Sequence, residues 1–569
     1  MARQRRLHPR SQSFLFLGAV ALLAVGLSSA APEGTAGAPL GLPAFGAAGP
    51  NAPLRLCSSS SPLMLSPYTK APRGAITVPA GDDSVLQMSD GGVIIHNFEL
   101  TSHRTYWFAP GTHTLGTGLY NQIEPDADDA FIGAPGAVLD GQGDNEAAFA
   151  QEEPNVTIEY LTIENFVAGV GQSAVNHDSG PDWTLKYDTI TGTTVGAAAA
   201  IGDHDVYEYN CLADNGEYGL NGGGTGGVFS YNEVVANGAY YANAHANLCT
   251  GCSGGIKYWA AKDVVVEYNY IHNNYGPGLW FDTNNQGALV QGNYISANDG
   301  NGLIYEISYN ALIQDNTFVD NGWSASEEAN ANIVGEALYI FQSGGSEAVS
   351  SEYQGTLMVQ GNTFVDNWDG LVIYQDADRI CSNNSTDDCT LADPSVFTNS
   401  SCSQYSAASS PNSNPDYYDG CQWKPQNITV AGNVFYFNPA AIAAAKPYFS
   451  DEDPSHCPAT GLLDTSAGNM YYCGFNGMYA FEGSHPPVGG TSVAENAIMN
   501  LPNPNGEAPD NNHWLDNTYF GPWVFQAYSQ SPSPQNGHET EIPFDVWRSA
   551  WSQDIGSTIS PAPQLSPVP

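Results

Sequence analysis

The sequence predicts an all-β solenoid, a right-handed parallel β-helix of 22–24 residues per coil with long loop insertions and an irregular C-terminal cap. Three observations carry this. A phrase repeats, as VVVEYNYIHNN, ALVQGNYISAN, ALIQDNTFVDN and, at 357–367, LMVQGNTFVDN. An asparagine keeps register through it, at Asn269, Asn293, Asn316 and Asn362, with gaps of 24, 23 and 46 residues, 46 being read as two periods; Asn210 and Asn232, 22 apart, extend the column. Between the asparagines lie short runs of Val, Ile, Tyr and Phe broken by Asn, Gly and Asp, whereas a leucine-rich repeat of similar period needs a Leu comb and a helical return. An Asn in such a column can adopt the left-handed turn conformation and bond to the amides above and below, so the column is read as structural.

Composition agrees. A repeat fold can grow to 569 residues without splitting its core, and Gly 61 and Pro 37 suit a turn-rich all-β chain. The net charge of −44, from 15 Lys+Arg against 59 Asp+Glu, argues against nucleic acid or an anionic membrane as partner. Charged residues make up 13%, about half the ~25% of an ordinary domain, and basic ones are what is missing. That deficit points to a surface suited to acidic surroundings, with lineage bias in composition as the plain alternative.

In chain order, residues 1–30 read as a secretory signal: Arg3, Arg5, Arg6 and Arg10, then the 14-residue apolar segment Phe14–Leu27, then a small-residue cleavage site. The segment is too short to span a membrane, so a secreted, extracellular protein is expected. Residues 31–73, rich in Ala, Pro, Gly and Ser, read as a linker or lead-in. The β-helix is expected over 74–437, with a corner insertion between Asn232 and Asn269 that carries His245, Cys249 and Cys252. Residues 438–558 are expected to be an irregular aromatic cap ending in a short helix at 544–558, and 559–569 a disordered tail. Ten cysteines in an exported chain suggest disulfides; Cys381–Cys389, Cys402–Cys421 and Cys457–Cys473 are local candidates, leaving Cys57, Cys211, Cys249 and Cys252. Cys249 and Cys252 lack the second ligand pair of a zinc site, so no metal and no cofactor is expected.

Chemistry is sought by aligning the small residue before each hydrophobic strand: GLWFD at 278–282, GLIYE at 302–306, ALYIF at 337–341 and GLVIY at 370–374. Asp282 and Glu306 then share one position on consecutive coils, about 4.8 Å apart along the axis. Stacked carboxylates repel, so stability alone would not choose them, although solvent-facing turn residues remain the bland alternative. Trp259, Trp280, Phe281, Tyr305 and Tyr309 would form a sugar-stacking wall around them. Lys257, 25 residues before Asp282, would reach the same face as a base, a hydroxyl donor or half of an ion pair; Gln342, Asp376 and Arg379 would line later coils, and His245 would enter from its loop.

The rung pattern over residues 74–437, with TYWFAPGTHTLG at 105–116 and FIGAPGAVLDGQG at 131–143, resembles the carbohydrate-active β-helix proteins of the pectate-lyase-like superfamily. Within it, Asp and Glu on successive coils resemble the nucleophile and acid/base of retaining β-helix glycosidases. The resemblance therefore implies a glycoside hydrolase with Asp282 as nucleophile and Glu306 as acid/base, acting as a monomer on a carbohydrate polymer or oligosaccharide. A lyase or C5-epimerase on uronic acid polymers is the alternative, and a non-catalytic carbohydrate-binding or surface protein a further one. The Asn-Thr-Asp, Gly-His-Gly and Arg-Ile-Lys motifs of polygalacturonases, the Asp-Pro-His-Asp signature of alginate epimerases and an acidic calcium cluster are absent from the sequence.

Overall fold

A computed structural model describes residues 53–81, 86–89, 92–95, 103–240, 253–323, 335–345, 356–376, 425–438, 440, 474–481, 510–528 and 539–562. These belong to one compact unit, Ala47–Pro569; a second unit, Met1–Gly46, lies outside them and with it the signal segment. Short strands of three to eight residues, each closed by a turn, stack into three sheets. The first runs through thirteen strands from Ile76–Val78 to His513–Leu515, the second through thirteen from Gly111–Thr114 to Thr558–Ser560, and the third through eleven from Ser173–Val175 to Glu539–Ile542. Strands pair in parallel with their counterparts one coil away, as in the run Val265, Leu289, Leu312, Met358; the exceptions are the last pair of the third sheet, Val524–Tyr528 with Glu539–Ile542, and a separate hairpin, Leu86–Ser89 with Gly92–Ile95, both antiparallel. The architecture is the parallel β-helix that the repeat predicts.

Two features of the asparagine column differ from expectation. First, the 46-residue gap is one coil, not two: Thr317 pairs directly with Thr363, and Asn316 Nδ2 donates to Asn362 Oδ1 at 3.0 Å. The extra chain is insertion, which a solenoid corner tolerates because the strands on either side still find their partners. Second, the left-handed residue is not the column Asn but the one before it. Tyr268, Gly292, Asp315, Gly361 and Gly432 have φ between 54 and 66°. That turn aims the next side chain inward. Each column Asn then donates Nδ2 both to the next Asn and back to a strand carbonyl, as Asn293 does to Asn316 Oδ1 at 2.9 Å and to Val266 O at 2.8 Å. Two donors on one amide are thereby satisfied in a fully buried position.

A second ladder, at Asn215, Asn237, Asn274, Asn298, Asn321 and Asn367, runs parallel to the first with Nδ2 to Oδ1 distances of 2.8–3.0 Å. Between the ladders the second sheet sends its middle residues into the core. Phe318, Phe364, Phe435 and Tyr519 stack there with ring centroids 4.5–4.9 Å apart. The left-handed tyrosines Tyr160, Tyr187, Tyr209, Tyr231 and Tyr268 form a corresponding stack on the outside, at 4.8–5.3 Å.

The lead-in is not a linker over its described part. Leu56 is buried, Cys57 is disulfide-bonded to Cys211, and the Cys57 amide donates to Glu233 at 2.6 Å. Farther along, Ser66 Oγ donates to Gly133 O at 2.5 Å and Tyr68 O accepts from Trp107 Nε1 at 3.0 Å. Leu54, Leu56, Cys57 and Tyr68 supply anchors that the bulk composition of 31–73 conceals. At the other end the coil continues past 437: Phe475–Phe481, His513–Leu515, Thr518–Phe520 and Val524–Tyr528 extend all three sheets, and Thr558–Ser560 adds a further strand within the expected tail. The helix α1 spans Phe544–Ala550 and buries Trp547 against Trp514 and Phe525. The three local cysteine pairs, with Cys249 and Cys252, fall outside the described residues.

Candidate active site

Five consecutive strands of the third sheet, with the residues that directly follow them, hold most of the residues singled out by the sequence: Gly254–Tyr258, Leu279–Phe281, Leu303–Glu306, Glu336–Phe341 and Asp369–Asp376. Along each, alternation sends one set of side chains into the coil and the other outward. Lys257, Trp280, Ile304, Tyr339 and Val372 are in register and face outward. Two positions on, Glu306 opposes Phe341, and continuing the Phe281–Tyr305 pairing puts Asp282 opposite Glu306. One coil earlier, after Tyr258, the same position holds Trp259.

Asp282 and Glu306 sit in opposite surroundings. Lys257 Nζ lies 3.0 Å from Asp282 Oδ2, while Thr283 donates its amide and its hydroxyl to Asp282 Oδ1 at 2.8 and 3.0 Å. Burial would raise the Asp282 carboxyl, but the Lys257 charge and these hydrogen bonds outweigh it and hold the pKa below the ordinary aspartate value. Lys257 pairs with Trp280 along the coils, so its side chain and that of Asp282, two residues past Trp280, share a face. The nearby amide of Asn285 serves otherwise: it donates to the Asp282 main-chain oxygen and contacts Ser308 Oγ at 3.1 Å, leaving the carboxylate to Lys257 and Thr283. Glu306 is 5% exposed, and Trp280 Nε1 donates to its Oε2 at 3.1 Å. Beside it lies an apolar cluster of Trp280, Ile304, Tyr339, Phe341, Val372 and Phe475.

The expected aromatic wall is largely interior. Tyr305, Phe281 and Tyr309 are buried, with Tyr305 and Phe281 in the coil core; the Tyr305 hydroxyl donates to Tyr309 O at 2.9 Å. Strict alternation explains it, since Tyr305 lies between the outward Ile304 and Glu306. Trp280 does face outward, but one ring face is taken by Lys257 Nζ, 4.0 Å from the centroid, and its N–H by Glu306. Trp259, 49% exposed, is the open aromatic platform. Gln342 is fully buried at the turn after its strand and so does not line an open cleft. Asp376 closes its strand opposite Phe481. Arg379 and His245 lie outside the described residues.

The third sheet's outer surface therefore has two halves. Toward the C-terminal coils it is apolar and closed, whereas toward the N-terminal coils Asn221, Gly222, Gly223 and Gly224 leave it low and partly exposed next to Lys257 and Trp259. Sequence reasoning also missed a second carboxylate pair. Glu336 and Asp369 are in register, both buried, at the position before the small residue used for alignment, so reading one column earlier would have revealed them. Asn301 Nδ2 donates to Glu336 Oε2 at 2.6 Å, and burial pushes the Glu336 carboxyl up to about 8. Among the described residues, no group of three or more His, Cys, Asp or Glu is placed to hold a metal ion.

Fold and site together define a parallel β-helix that presents two unlike carboxyl groups on one sheet. In agreement, a family model for the right handed beta helix region matches residues 173–346. No curated protein matches the chain. Similar solved structures include the mannuronan C-5 epimerase AlgE6 A-module of Azotobacter vinelandii, 12% identical with TM-score 0.42, covering 81% of this chain and 91% of that one. The catalytic unit of the GH87 alpha-1,3-glucanase of Streptomyces thermodiastaticus strain HF3-3 is 13% identical with TM-score 0.47, covering 89% and 73%. A mannuronic acid specific polysaccharide family 6 lyase from human gut microbiota is 10% identical with TM-score 0.41, covering 81% and 86%. With identities this low, the chemistry rests on the chain's own residues.

Proposed function

We propose that the protein is a secreted, polysaccharide-active enzyme that hydrolyses a glycosidic bond with retention, Asp282 serving as nucleophile and Glu306 as acid/base. The observation that carries this reading is the pairing of an ionised carboxylate, held by Lys257, with a second carboxyl one coil on in apolar surroundings. Glu306 gives its proton to the leaving oxygen while Asp282 attacks the anomeric carbon; Glu306 then takes a proton from water as the glycosyl ester is opened. Strands ~4.8 Å apart bring the two groups near the ~5–5.5 Å of retaining enzymes rather than the ~6.5–9.5 Å of inverting ones. The sugar chain lies over the low N-terminal half of the sheet, with one ring on Trp259.

Lys257 favours a second reading, elimination or epimerisation on a uronic acid polymer, in which the ammonium binds the substrate carboxylate. A reducing-sugar screen over xylan, pectin, fucan, mannan, galactan and alginate, with ultraviolet detection of unsaturated products, separates the two. The hydrolase reading expects new reducing ends without unsaturation, a first-formed anomer of retained configuration, and a fall of roughly 10²–10⁴ in kcat for Asp282→Asn or Glu306→Gln. Full activity in the double variant would remove the pair from the site.

A further inference from the structure

Trp280 makes both of its polar contacts with the candidate catalytic groups. Lys257 Nζ sits 4.0 Å from its ring centroid, and its Nε1 donates to Glu306 Oε2 at 3.1 Å. Lys257 in turn is 3.0 Å from Asp282. One indole thus lies between the cation that keeps the first carboxylate charged and the second carboxyl. Its position is not adjustable: Trp280 is in register with Lys257 on one coil and Ile304 on the next, is 8% exposed, and packs in the cluster of Ile304, Tyr339 and Phe341.

We propose that Trp280 is a positioning residue that couples the Lys257–Asp282 ion pair to Glu306 and so sets how readily Glu306 gives up its proton. The inference rests on the hydrolase reading for its catalytic meaning, but its physical content does not require turnover. A cation over the ring face draws electron density toward itself and makes the N–H edge a stronger donor. That donor offsets part of what burial does to Glu306, a group with little water to solvate its charge. The indole donor thereby eases release of the Glu306 proton, which an acid/base gives up and takes back in alternate steps. Among the described residues of these strands, the charged and titratable side chains include Lys257 and Asp282 before Glu306 and Tyr339, Tyr374 and the buried Glu336 and Asp369 after it. An indole is suited to the place because it alone among the aromatic side chains offers a broad face to a cation and a fixed N–H at its edge.

The test is carboxyl-carbon NMR titration of the full chain labelled at Asp and Glu, the Glu306 resonance being assigned by its loss in Glu306→Gln. Trp280→Phe keeps a ring beneath Lys257 and removes the N–H. Its expected effect is a rise of about 1 unit in the Glu306 pKa with Asp282 still depressed. The same shift should appear in the alkaline limb of kcat against pH. An unchanged Glu306 titration in the folded variant overturns the proposal, even if the enzyme remains active. Should Trp280→Phe not fold, the indole N–H proton of Trp280 in the wild-type chain gives the same answer: it must move as Glu306 titrates and stay fixed in Glu306→Gln, and a flat resonance in the wild-type chain overturns the coupling. A shifted Glu306 with no hydrolysis of any substrate would leave the coupling intact and sink the hydrolase reading instead.

Discussion

Glu336 and Asp369 oppose each other on neighbouring strands of the third sheet, in register and both buried. Burial pushes Glu336 up to about 8, and for the same reason raises Asp205 and Asp366 to about 7. Unfolded, such groups lose their protons near pH 4, so between about pH 4 and 8 the folded chain binds more protons than the unfolded one, and stability falls as pH rises. Asp282 and Glu233, both depressed, act the other way: their contribution is present above about pH 4 and is lost as pH falls through their folded values. The melting temperature is therefore expected to peak near pH 5 and decline toward pH 8, with Glu336→Gln flattening the upper part. A profile rising from pH 5 to pH 8 would contradict this.

Replacing Asn293 by Leu should destabilise the fold by about 3 kcal/mol or more. The change removes one acceptor and two donors from a buried ladder, leaving the Asn269 amide and the Val266 carbonyl without their Asn293 bonds. Chemical denaturation of the purified variant measures it; a loss below about 1 kcal/mol would mean that water enters the gap.

The Cys57–Cys211 bridge ties the lead-in to the second sheet across 154 residues of sequence. Changing both cysteines to Ala should lower stability by about 2–5 kcal/mol. The lead-in around Cys57 should also become more protease-sensitive, since the bond from its amide to Glu233 remains but is a weaker restraint than a covalent link. Limited proteolysis with N-terminal sequencing of the fragments reads this directly. Equal resistance in the variant would show that packing of Leu56 suffices.

Lys257→Met should raise the Asp282 pKa, because the largest influence opposing burial is gone. The acid limb of the rate profile is expected to move to higher pH, and kcat on the best substrate to fall at every pH. Lys257→Arg keeps the charge and should leave the limb in place. Identical limbs in all three proteins would separate Lys257 from the chemistry.

How far these features could be read in the sequence depended on whether their period was local. Asn269, Asn293 and Asn316 recur at 24 and 23 residues, so one ladder and the third-sheet register of Asp282 with Glu306 were visible by eye. The second ladder was equally regular, five residues farther along each phrase, and was passed over because only one column was followed. Past Asn362 the same contact recurs only at Asn433 and Asn517, separations of 71 and 84, so the later coils read as irregular although their strands are ordinary. Tyr305 was misplaced because the alignment fixed positions along the strand without asking which face each one takes. The role of Trp280 depends on where a ring face and an N–H edge point, which a one-dimensional pattern does not encode.

The first ladder has a direction: each Asn donates toward the next coil, and the last, Asn517, donates at 2.9 Å to Asp554 Oδ1 rather than to another amide. Asp554 also accepts from Tyr519, Trp547 and Ser557, and a carboxylate has no hydrogen to pass on. The relay therefore stops there, where α1 brings Trp547 against Trp514 and Phe525. A solenoid whose every coil templates the next is in principle an open polymer, able to recruit another molecule end to end. Here the last acceptor offers no amide to a following coil, so the relay of side-chain amides ends inside this chain, at Asp554.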